Sequence, residues 1–507
     1  MSPQTPVRVW VISFECGGVA KAGGLGEAVR GYASRLAERG HATRILMPSH
    51  GLRSESSVRL GEFTFYRRTV DGAEVIMASN PVLDEPSIYA GGLTEAKAAA
   101  LARAAKALVE AEGPPDVIHA NDWHAVPAAL SVLSSAPGTA FIFHVHLYLG
   151  WWVSWDYLFR DCGLDPGSRL RGLSLGEAYG RANGVAEVLA AQLADSVVTV
   201  SRAYMEEVLR PAVWWAVGDR LTFVYNGTDW SFGKLVEEAK RHHALPELGD
   251  VRCSRRELRR YLLTEAIARA IPRVSDPSMA WAARGAQAFP SDGPLVLATG
   301  RASWQKGFDV LLQASDLLAS VVPGVRFLLL LLPARGEEGH LSWLIGEAER
   351  RPHVRLIVGH AAEIYALAHL AADAFAVPSR WEPFGLSAVE AMAAGVPVAA
   401  SGVGGLKETV VDLRSDPSGG TGYLVPPENP AELARALASL LAVTAREDLE
   451  ASGVLERAES FGLPKPSLSD SELRARCAAR AAVFSWAKAA ERLEEIYRDA
   501  LIRARGA

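Results

Sequence analysis

Residues 7–40, VRVWVISFECGGVAKAGGLGEAVRGYASRLAERG, contain a strand, a glycine-rich turn and a helix in direct succession. The apolar, β-branched residues 7–13 predict a strand that is buried on both faces of a parallel sheet. After the turn at 16–26, a helical pattern runs from about Glu27 to Arg39 and ends at Gly40. This succession predicts the first unit of a doubly wound α/β domain.

The same alternation continues through the first half of the chain. Further strands are predicted at residues 42–47, 116–119, 139–145, 196–201 and 221–225, and helices near 94–111, 175–193 and 202–209. Because these strands alternate with helices, they are expected to form one mainly parallel sheet.

The alternation starts again near Pro294. A strand is predicted at 295–299, the turn GRASWQKG at 300–307 and a helix at 308–320. Four more strands (326–332, 354–358, 374–377, 396–400) alternate with helices near 341–350, 363–371 and 387–394. The chain therefore has two similar α/β halves, with a helical insertion at 234–292. The amphipathic pattern over 478–507 predicts a long C-terminal helix that packs on the first half.

Length and composition limit the class of protein. The chain has 507 residues and a formal net charge of −5, and 49% of its residues are hydrophobic. The mild negative charge argues against a nucleic-acid surface, and the apolar runs are too short to cross a membrane. No signal peptide is apparent at the start of the sequence. The cysteines, Cys16, Cys162, Cys253 and Cys477, are widely spaced and form no CxxC pair. We expect a cytoplasmic enzyme without membrane or nucleic-acid partners, and homo-oligomerisation stays open.

Two glycine-rich turns could hold an anion. Lys21 lies in AKAGGLG, and Arg301 and Lys306 lie in GRASWQKG; each turn precedes a helix. Glycine lets backbone N–H groups approach a phosphate, and a helix N-terminus favours negative charge. The alternative is a tight turn with solvated cations, because neither sequence matches a GxGxxG or P-loop pattern.

The segment 379–395, SRWEPFGLSAVEAMAAG, contains two glutamates eight residues apart, Glu382 and Glu390. Ser387 and Glu390 predict a capping box at a helix start, which accounts for Glu390 but not for Glu382. A carboxylate beside the Gly-Leu turn can accept hydrogen bonds from sugar hydroxyls. The glycine-rich stretch SGVGGL at 401–406 is a third strand-to-helix turn that could cradle a phosphate.

The motifs HANDWHA and FHVHLYLG, each at the end of a predicted strand, contain four histidines: His119, His124, His144 and His146. A zinc site is conceivable, but carboxylate and cysteine ligands at metal spacing are absent from the sequence. We therefore expect no metal.

Taken together, these motifs resemble those of bacterial and archaeal glycogen and starch synthases. The resemblance rests on Glu15, KAGGLGE, HANDWHA, FHVHLYLG, ADSVVTVS and NGTD in the first half, and on GRASWQKG, VPSRWEPFGLSAVEAMAAG and GVGGLKETV in the second. It implies a GT-B fold, that is, two Rossmann-like domains facing a cleft. Residues 1–228 would be the acceptor-side domain, with a C-terminal helix (about 484–507) packed back on it, and residues 229–483 the nucleotide-sugar domain.

The resemblance also implies roles for individual residues. Arg301 and Lys306 would bind the donor diphosphate, Glu382 would lie close to the donor glucose, and His144 would face that glucose. Further substrate-binding positions are implied in both halves: Glu15, Lys21, Gly23, Gly24, Asp122, Asn226, His360, Pro383, Phe384, Gly385, Leu386 and Glu390. Among these, Lys21 and Gly24 match positions near the phosphates, Asp122 and Asn226 match sugar ligands, and Glu390 matches a ribose ligand. His360 stands where many members carry an aromatic residue that stacks on the base.

The activity implied is glucose transfer from ADP- or UDP-glucose to the non-reducing end of an α-1,4-glucan, with retention of configuration and without a cofactor. Another retaining GT-B glucosyltransferase, making trehalose or sucrose, is an alternative. A phosphorylase would need pyridoxal phosphate. A non-catalytic nucleotide-sugar-binding subunit would have no need for both the phosphate-binding cations and Glu382.

Overall fold

A computed structural model describes residues 6–89, 93–243, 254–274, 277–464 and 467–506. The chain forms two compact units: unit 1 is Met1–Gly227 with Ser485–Ala507, and unit 2 is Thr228–Phe484. Within the described ranges, every helix is too short or too polar to cross a lipid bilayer.

Unit 1 is built on a nine-stranded sheet. Its strands, together with the separate β8–β9 hairpin, are β1 (Arg8–Ile12), β2 (Ala42–Pro48), β3 (Ser56–Leu60), β4 (Phe63–Val70), β5 (Ala73–Ser79), β6 (Val117–Asn121), β7 (Ala140–Val145), β8 (Arg169–Leu170), β9 (Leu173–Ser174), β10 (Ser196–Thr199) and β11 (Leu221–Phe223). The sheet order is β11-β10-β7-β6-β1-β2-β5-β4-β3. In its parallel part the strand order along the sheet reverses between β1 and β6, which run parallel to each other. The loops after these two strands therefore form a switch point, where such sheets bind ligands.

The helices of unit 1 cover both faces of this sheet. They are α1 (Gly24–Glu38), α2 (Leu93–Glu112), α3 (Val126–Ser135), α4 (Leu175–Arg181), α5 (Ala186–Leu193), α6 (Arg202–Tyr204) and α7 (Arg210–Val217). Helix α1 begins three residues earlier than predicted, because Gly23 takes the extended N-cap conformation. The prediction of one helix over 175–193 was wrong, since Asn183 and Gly184 both have positive φ and separate α4 from α5.

The sequence analysis missed the antiparallel edge of this sheet. Strand β4 pairs antiparallel with both β3 and β5. Arginines interrupt the hydrophobic alternation of β4, which hides the strand pattern. A usable signal was the pair Asp71-Gly72, whose φ values of 45° and 85° are those of a tight hairpin turn.

Unit 2 has a six-stranded, fully parallel sheet. Its strands are β12 (Leu295–Arg301), β13 (Arg326–Leu332), β14 (Val354–Val358), β15 (Ala374–Val377), β16 (Val398–Ser401) and β17 (Gly422–Val425), in the order β14-β13-β12-β15-β16-β17. Numbered from β12, this is the strand order 3-2-1-4-5-6 of the Rossmann fold. The switch point lies between β12 and β15, so the loops after these strands are the expected ligand site.

The described helices of unit 2 are α8 (Phe232–His242), α9 (Arg255–Tyr261), α10 (Ile267–Arg269), α11 (Phe308–Val321), α12 (Glu338–Glu349), α13 (Ala362–Ala371), α14 (Leu386–Ala393), α15 (Leu406–Thr409), α16 (Pro430–Thr444), α17 (Arg446–Ala451), α18 (Leu455–Phe461) and α19 (Asp470–Ala481). Helices α8 to α10 belong to the predicted insertion, of which residues 244–253 and 275–276, including Cys253, lie outside the described residues. The buried Arg259 of α9 forms an ion pair with Asp292 inside the insertion, and its pairs with Asp373 and Asp448 join the insertion to the rest of unit 2.

The C-terminal helix α20 (Trp486–Gly506) packs in unit 1, as expected from the amphipathic pattern. A Cβ at Gly31 of α1 would overlap the Trp486 indole, so the glycine allows close helix packing. Arg39 and His41 contact the buried carboxylate of Glu494 at 2.6 and 3.0 Å. The helix agrees with the predicted range of about 484–507, whereas the amphipathic pattern from 478 onward also includes the end of α19 at Ala481.

Candidate functional site

The Arg301 and Lys306 turn lies at the switch point of unit 2. Arg301 ends strand β12, a short 3₁₀ turn contains Lys306, and α11 begins at Phe308. Gly307 has φ 65°, and a Cβ there would overlap the carbonyl oxygen of Pro378. The glycine therefore lets this turn lie directly against the loop that follows β15.

Lys306 and Glu382 form an ion pair across these two loops. Lys306 Nζ lies 2.6 Å from Glu382 Oε2, and Ser379 Oγ donates to the same oxygen at 3.1 Å. The Glu382 side chain is only 9% exposed, so the cation offsets the cost of burying the carboxylate. Glu382 Oε1 has no hydrogen-bond partner in the described part of the chain.

Arg301 differs from Lys306 in its environment. Its side chain is half-buried, and across the described ranges no hydrogen bond or ion pair engages its guanidinium. A buried, unpartnered Oγ belongs to Ser303, two residues further on. An unengaged guanidinium and an orphaned hydroxyl two residues apart in the same turn are suited to an anionic ligand, because Arg offers five N–H donors in a fixed fork.

The glycines of SGVGGL hold the Glu382 loop in place. The N–H of Gly405 donates to the carbonyl oxygen of Glu382 at 2.9 Å. A Cβ at Gly404 would overlap that same carbonyl oxygen, and a Cβ at Gly405 would lie 2.5 Å from Phe384 Cα. In this structure these glycines allow close loop packing, which orients Glu382.

The predicted capping box was wrong. Helix α14 begins at Leu386 with Gly385 as its N-cap, and no side chain caps it. Gly385 takes the left-handed φ of 99°, which starts the helix before Ser387. Glu390 therefore lies in the second turn of α14, half-buried.

The other predicted residues of unit 2 occupy separate surroundings. Phe384 is buried and packs edge-on against Phe484 at 5.5 Å between ring centroids, while Pro383 and Leu386 are half-buried beside it. His360 follows β14 and is exposed; its backbone pairs with that of Arg273.

In unit 1, Glu15 organises the Lys21 turn. Its Oε2 accepts hydrogen bonds from the N–H groups of Ala22 and Gly23 at 2.7 and 2.8 Å. Tyr89, which the sequence analysis missed, donates to Oε1 at 2.6 Å. Lys21 pairs with Glu27. Gly24 begins α1, so the turn leads into a helix N-terminus with free N–H groups.

Asp122 has a strained backbone at the other side of this switch point. Its φ is 58°, in the region that most residues avoid. Oδ1 accepts hydrogen bonds from the N–H groups of His146 and Leu147 at 2.7 and 3.0 Å. Burial raises the pKa of this carboxyl group to about 7. The two hydrogen bonds hold the loop that follows β7 against the strained backbone of Asp122.

His144 belongs to a buried ring cluster. Its Nδ1 lies 3.0 Å from His119 Nε2, and the other nitrogen of His119 lies 2.6 Å from the Tyr497 hydroxyl of α20. His144 Nε2 is buried and has no partner among the described residues. Burial holds its pKa well below 6.5, so the ring is neutral at pH 7. His144 thus combines a fixed orientation with one unused nitrogen.

The remaining predicted site residue of unit 1 is Asn226, which is buried in the loop after β11. In the part of the chain that the structure describes, no group of three or more histidine, cysteine or acidic residues could hold a metal ion.

The histidine cluster makes unit 1 sensitive to acid. Burial lowers the pKa of His119, His124 and His146 to about 3. Below the unfolded value of about 6.5, the unfolded chain binds protons that the folded chain does not, so stability falls with pH. Each ring contributes up to about 1.4 kcal/mol per pH unit. We expect the melting temperature to drop steadily between about pH 6.5 and about pH 5.

Thermal melts across this range test the expectation. His124→Phe removes one titrating ring, so the dependence of stability on pH should fall by one proton per molecule. Phenylalanine should be tolerated at this position because the His124 ring already stacks on Phe14. His242→Gln, on an exposed part of α8, should leave the slope unchanged. A wild-type melting temperature that stays constant over the range would contradict a neutral cluster.

Two Rossmann-type sheets, each with a glycine-rich turn at its switch point, place the chain in the GT-B class of glycosyltransferases. Family models agree with this class: a starch synthase catalytic domain matches residues 8–222, and the glycosyl transferases group 1 domain matches residues 279–452. In both stretches the chain is similar to the glycogen and starch synthases.

Individual relatives extend the match over nearly the whole chain. It is 27% identical over 540 aligned positions to a glycogen synthase of Halorhodospira halophila, covering 99% of this chain and 100% of that protein. A glycogen synthase of Alkalilimnicola ehrlichii is 29% identical over 469 positions, covering 84% of this chain and 90% of that protein.

A solved structure shares the fold. The catalytic domain of starch synthase IV from Arabidopsis thaliana, bound to ADP and acarbose, has a TM-score of 0.69 at 21% identity, covering 98% of this chain and 100% of that one.

Proposed function

We propose that this enzyme elongates an α-1,4-glucan, transferring glucose with retention from ADP- or UDP-glucose to the non-reducing end. The observation that carries the residue assignment is the Arg301, Lys306 and Glu382 arrangement at the switch point of unit 2. Lys306 lies beside the buried Glu382 carboxylate, and Arg301 ends the strand that leads into the same turn, which suits a donor whose phosphates are anionic and whose sugar becomes cationic. Unit 2 is accordingly assigned to the donor and unit 1 to the acceptor.

The leaving group explains the two cations. As the bond between glucose C1 and oxygen breaks, negative charge grows on the diphosphate. Lys306 Nζ gives one contact to Glu382 and keeps two further N–H donors for a phosphate oxygen. The Arg301 guanidinium adds a forked contact. Fixed donors aimed at developing charge stabilise the transition state, because they need no reorganisation during the reaction.

The sugar side explains Glu382. Its Oε2 is held by Lys306 and Ser379, which leaves Oε1 to stabilise positive charge at the glucose ring. The departing phosphate oxygen takes the proton of the acceptor hydroxyl, so a separate base is not required.

The unit 1 residues complete the assignment. His144 offers the unpartnered Nε2 as a hydrogen-bonding group for the glucose, and Asp122 and Asn226 are assigned to sugar hydroxyls. Lys21, Gly23 and Gly24 form the turn, braced by Glu15, that is assigned to the donor phosphates. In unit 2, Glu390 is assigned to the ribose, His360 to the base, and Pro383, Phe384, Gly385 and Leu386 to the loop carrying Glu382. The free, buried thiols of Cys16, Cys162 and Cys477 accord with a reducing compartment, and we assign the enzyme to the cytoplasm.

A product assay tests the proposed reaction. Purified protein is incubated with radiolabelled ADP-glucose or UDP-glucose and with glycogen, glucose or fructose as acceptor. We expect label to enter glycogen, with one nucleoside diphosphate released per glucose, and an α-1,4-specific hydrolase to release that label. Label in a disaccharide would identify a trehalose- or sucrose-type enzyme, and donor binding without turnover would identify a non-catalytic subunit.

A further inference from the structure

Several large aromatic side chains of unit 1 stand on the surface instead of in its core. Trp152 is 60% exposed and Trp155 is 46% exposed. Phe159 and Tyr179 join Trp155, with ring centroids 4.2 and 5.4 Å away. Trp152 adjoins this group through its neighbour Val153, whose carbonyl oxygen accepts a hydrogen bond from the Tyr179 hydroxyl. We name these four residues the aromatic platform. Exposed apolar rings gathered in one place mark a binding surface more often than scattered ones do.

Glycines hold the two indoles in place. A Cβ at Gly184 would lie 2.5 Å from Trp152 Nε1, and a Cβ at Gly176 would lie 3.2 Å from Trp155 Cη2. Each indole therefore lies against bare backbone on one side, while much of its surface remains open to solvent. A larger residue at Gly184 would displace the Trp152 ring.

Buried contacts fix the segment that carries the platform. Trp151 Nε1 donates to Glu95 Oε1 at 3.0 Å, and the Trp151 ring stacks on Trp123 at 4.5 Å. Tyr179 donates its hydroxyl to the carbonyl oxygen of Val153 at 3.0 Å. The platform rings are thus held rigidly in an exposed position, which lowers the entropy lost when a ligand binds.

The platform is connected to the candidate sugar site by an ordered loop. His146 and Leu147 donate to Asp122, and Leu149 and Trp151 donate to the buried carboxylate of Glu187 at 3.1 and 2.8 Å. Trp152 is six positions after His146, so their backbones lie at most about 21 Å apart. A linear polymer of several sugar units could span that distance.

We propose that the aromatic platform binds an α-glucan chain at a distance from the reacting end. This rests on the proposed function, which makes a glucan the acceptor. A pyranose ring presents apolar C–H faces, which stack on an aromatic ring, and a hydroxyl rim, which needs polar neighbours. Asp156, Arg160 and Asp161 supply exposed charged neighbours between and beyond the aromatic positions. The core of a protein interface is instead depleted of charged residues, so a second copy of the chain fits less well.

Binding and kinetics of matched variants test the platform. The test variant is Trp152→Ala/Trp155→Ala, and a milder one is Trp152→Ala alone. The control variant is Trp214→Ala/Trp215→Ala, which removes two exposed indoles of α7 in the same unit. Affinity for glycogen and for maltoheptaose is measured without donor, and KM and kcat are measured with donor. The test variant should bind glycogen about 10-fold more weakly, with kcat preserved.

The possible results distinguish an α-glucan from a second copy of the chain as the partner that binds the platform. A raised dissociation constant and KM for glycogen in the test variant, with the control unchanged, supports the platform. Equal glycogen affinity in all folded variants overturns it. A test variant that turns from oligomer to monomer in sedimentation, with unchanged glycogen affinity, makes the surface a subunit interface. If wild-type protein binds glycogen through these indoles but incorporates no glucose, the proposed function fails while the platform stands.

Discussion

Lys306→Ala should lower kcat by about 10²–10³-fold, because it removes a fixed positive charge where the leaving diphosphate becomes more negative. It should also lower the melting temperature, since Glu382 loses its ion-pair partner at 2.6 Å and keeps only Ser379. Initial rates at saturating donor and acceptor measure the first effect, and thermal melts measure the second.

A second substitution separates the two effects. Glu382→Gln combined with Lys306→Ala removes the unpaired carboxylate, so the melting temperature should recover while activity stays low. Lys240→Ala, which removes an exposed lysine paired with Glu237, is the matched control and should leave both quantities unchanged. A folded Lys306→Ala enzyme with wild-type kcat would remove Lys306 from the catalytic assignment.

Arg301→Ala should lower activity strongly and leave stability almost unchanged. We expect activity to fall by about 10²-fold or more, because the guanidinium contributes a second contact to the leaving group. Stability should change by less than about 0.5 kcal/mol, since no described residue pairs with this side chain and its removal leaves no buried charge unpaired.

Arg301→Lys keeps the charge but loses the forked geometry, so it should restore only part of the rate. Arg269→Ala, at an exposed i,i+4 pair with Glu265, serves as the arginine control. Loss of activity in Arg301→Ala that is matched by an equal loss of folded protein would make Arg301 a structural residue.

Much of the fold follows from local patterns. Strands β13, β14 and β15 lie where the apolar runs predicted them, because strands buried on both faces carry continuous hydrophobic stretches. The antiparallel strands β3 to β5 were missed, since β4, next to the edge strand β3, mixes charged and apolar residues. The break between α4 and α5 depends on left-handed backbone at Asn183, which a helical pattern does not reveal.

The candidate site could be predicted from the sequence only in part. Residue types and turns pointed to Lys306 and Glu382 separately, but their ion pair joins residues 76 positions apart. Tyr89 and Tyr497 were missed for the same reason: each reaches its partner, Glu15 or His119, only through the folded chain. The pattern of Ser387 followed three residues later by Glu390 likewise suggested a capping box, whereas the left-handed Gly385 starts that helix.

The most direct test of the account is a crystal structure of the enzyme with ADP or UDP bound. We predict that diphosphate oxygens lie within about 2.7–3.2 Å of the Arg301 guanidinium and of Lys306 Nζ, at the switch point between β12 and β15. A nucleoside diphosphate bound with its phosphates away from both side chains would contradict the leaving-group assignment.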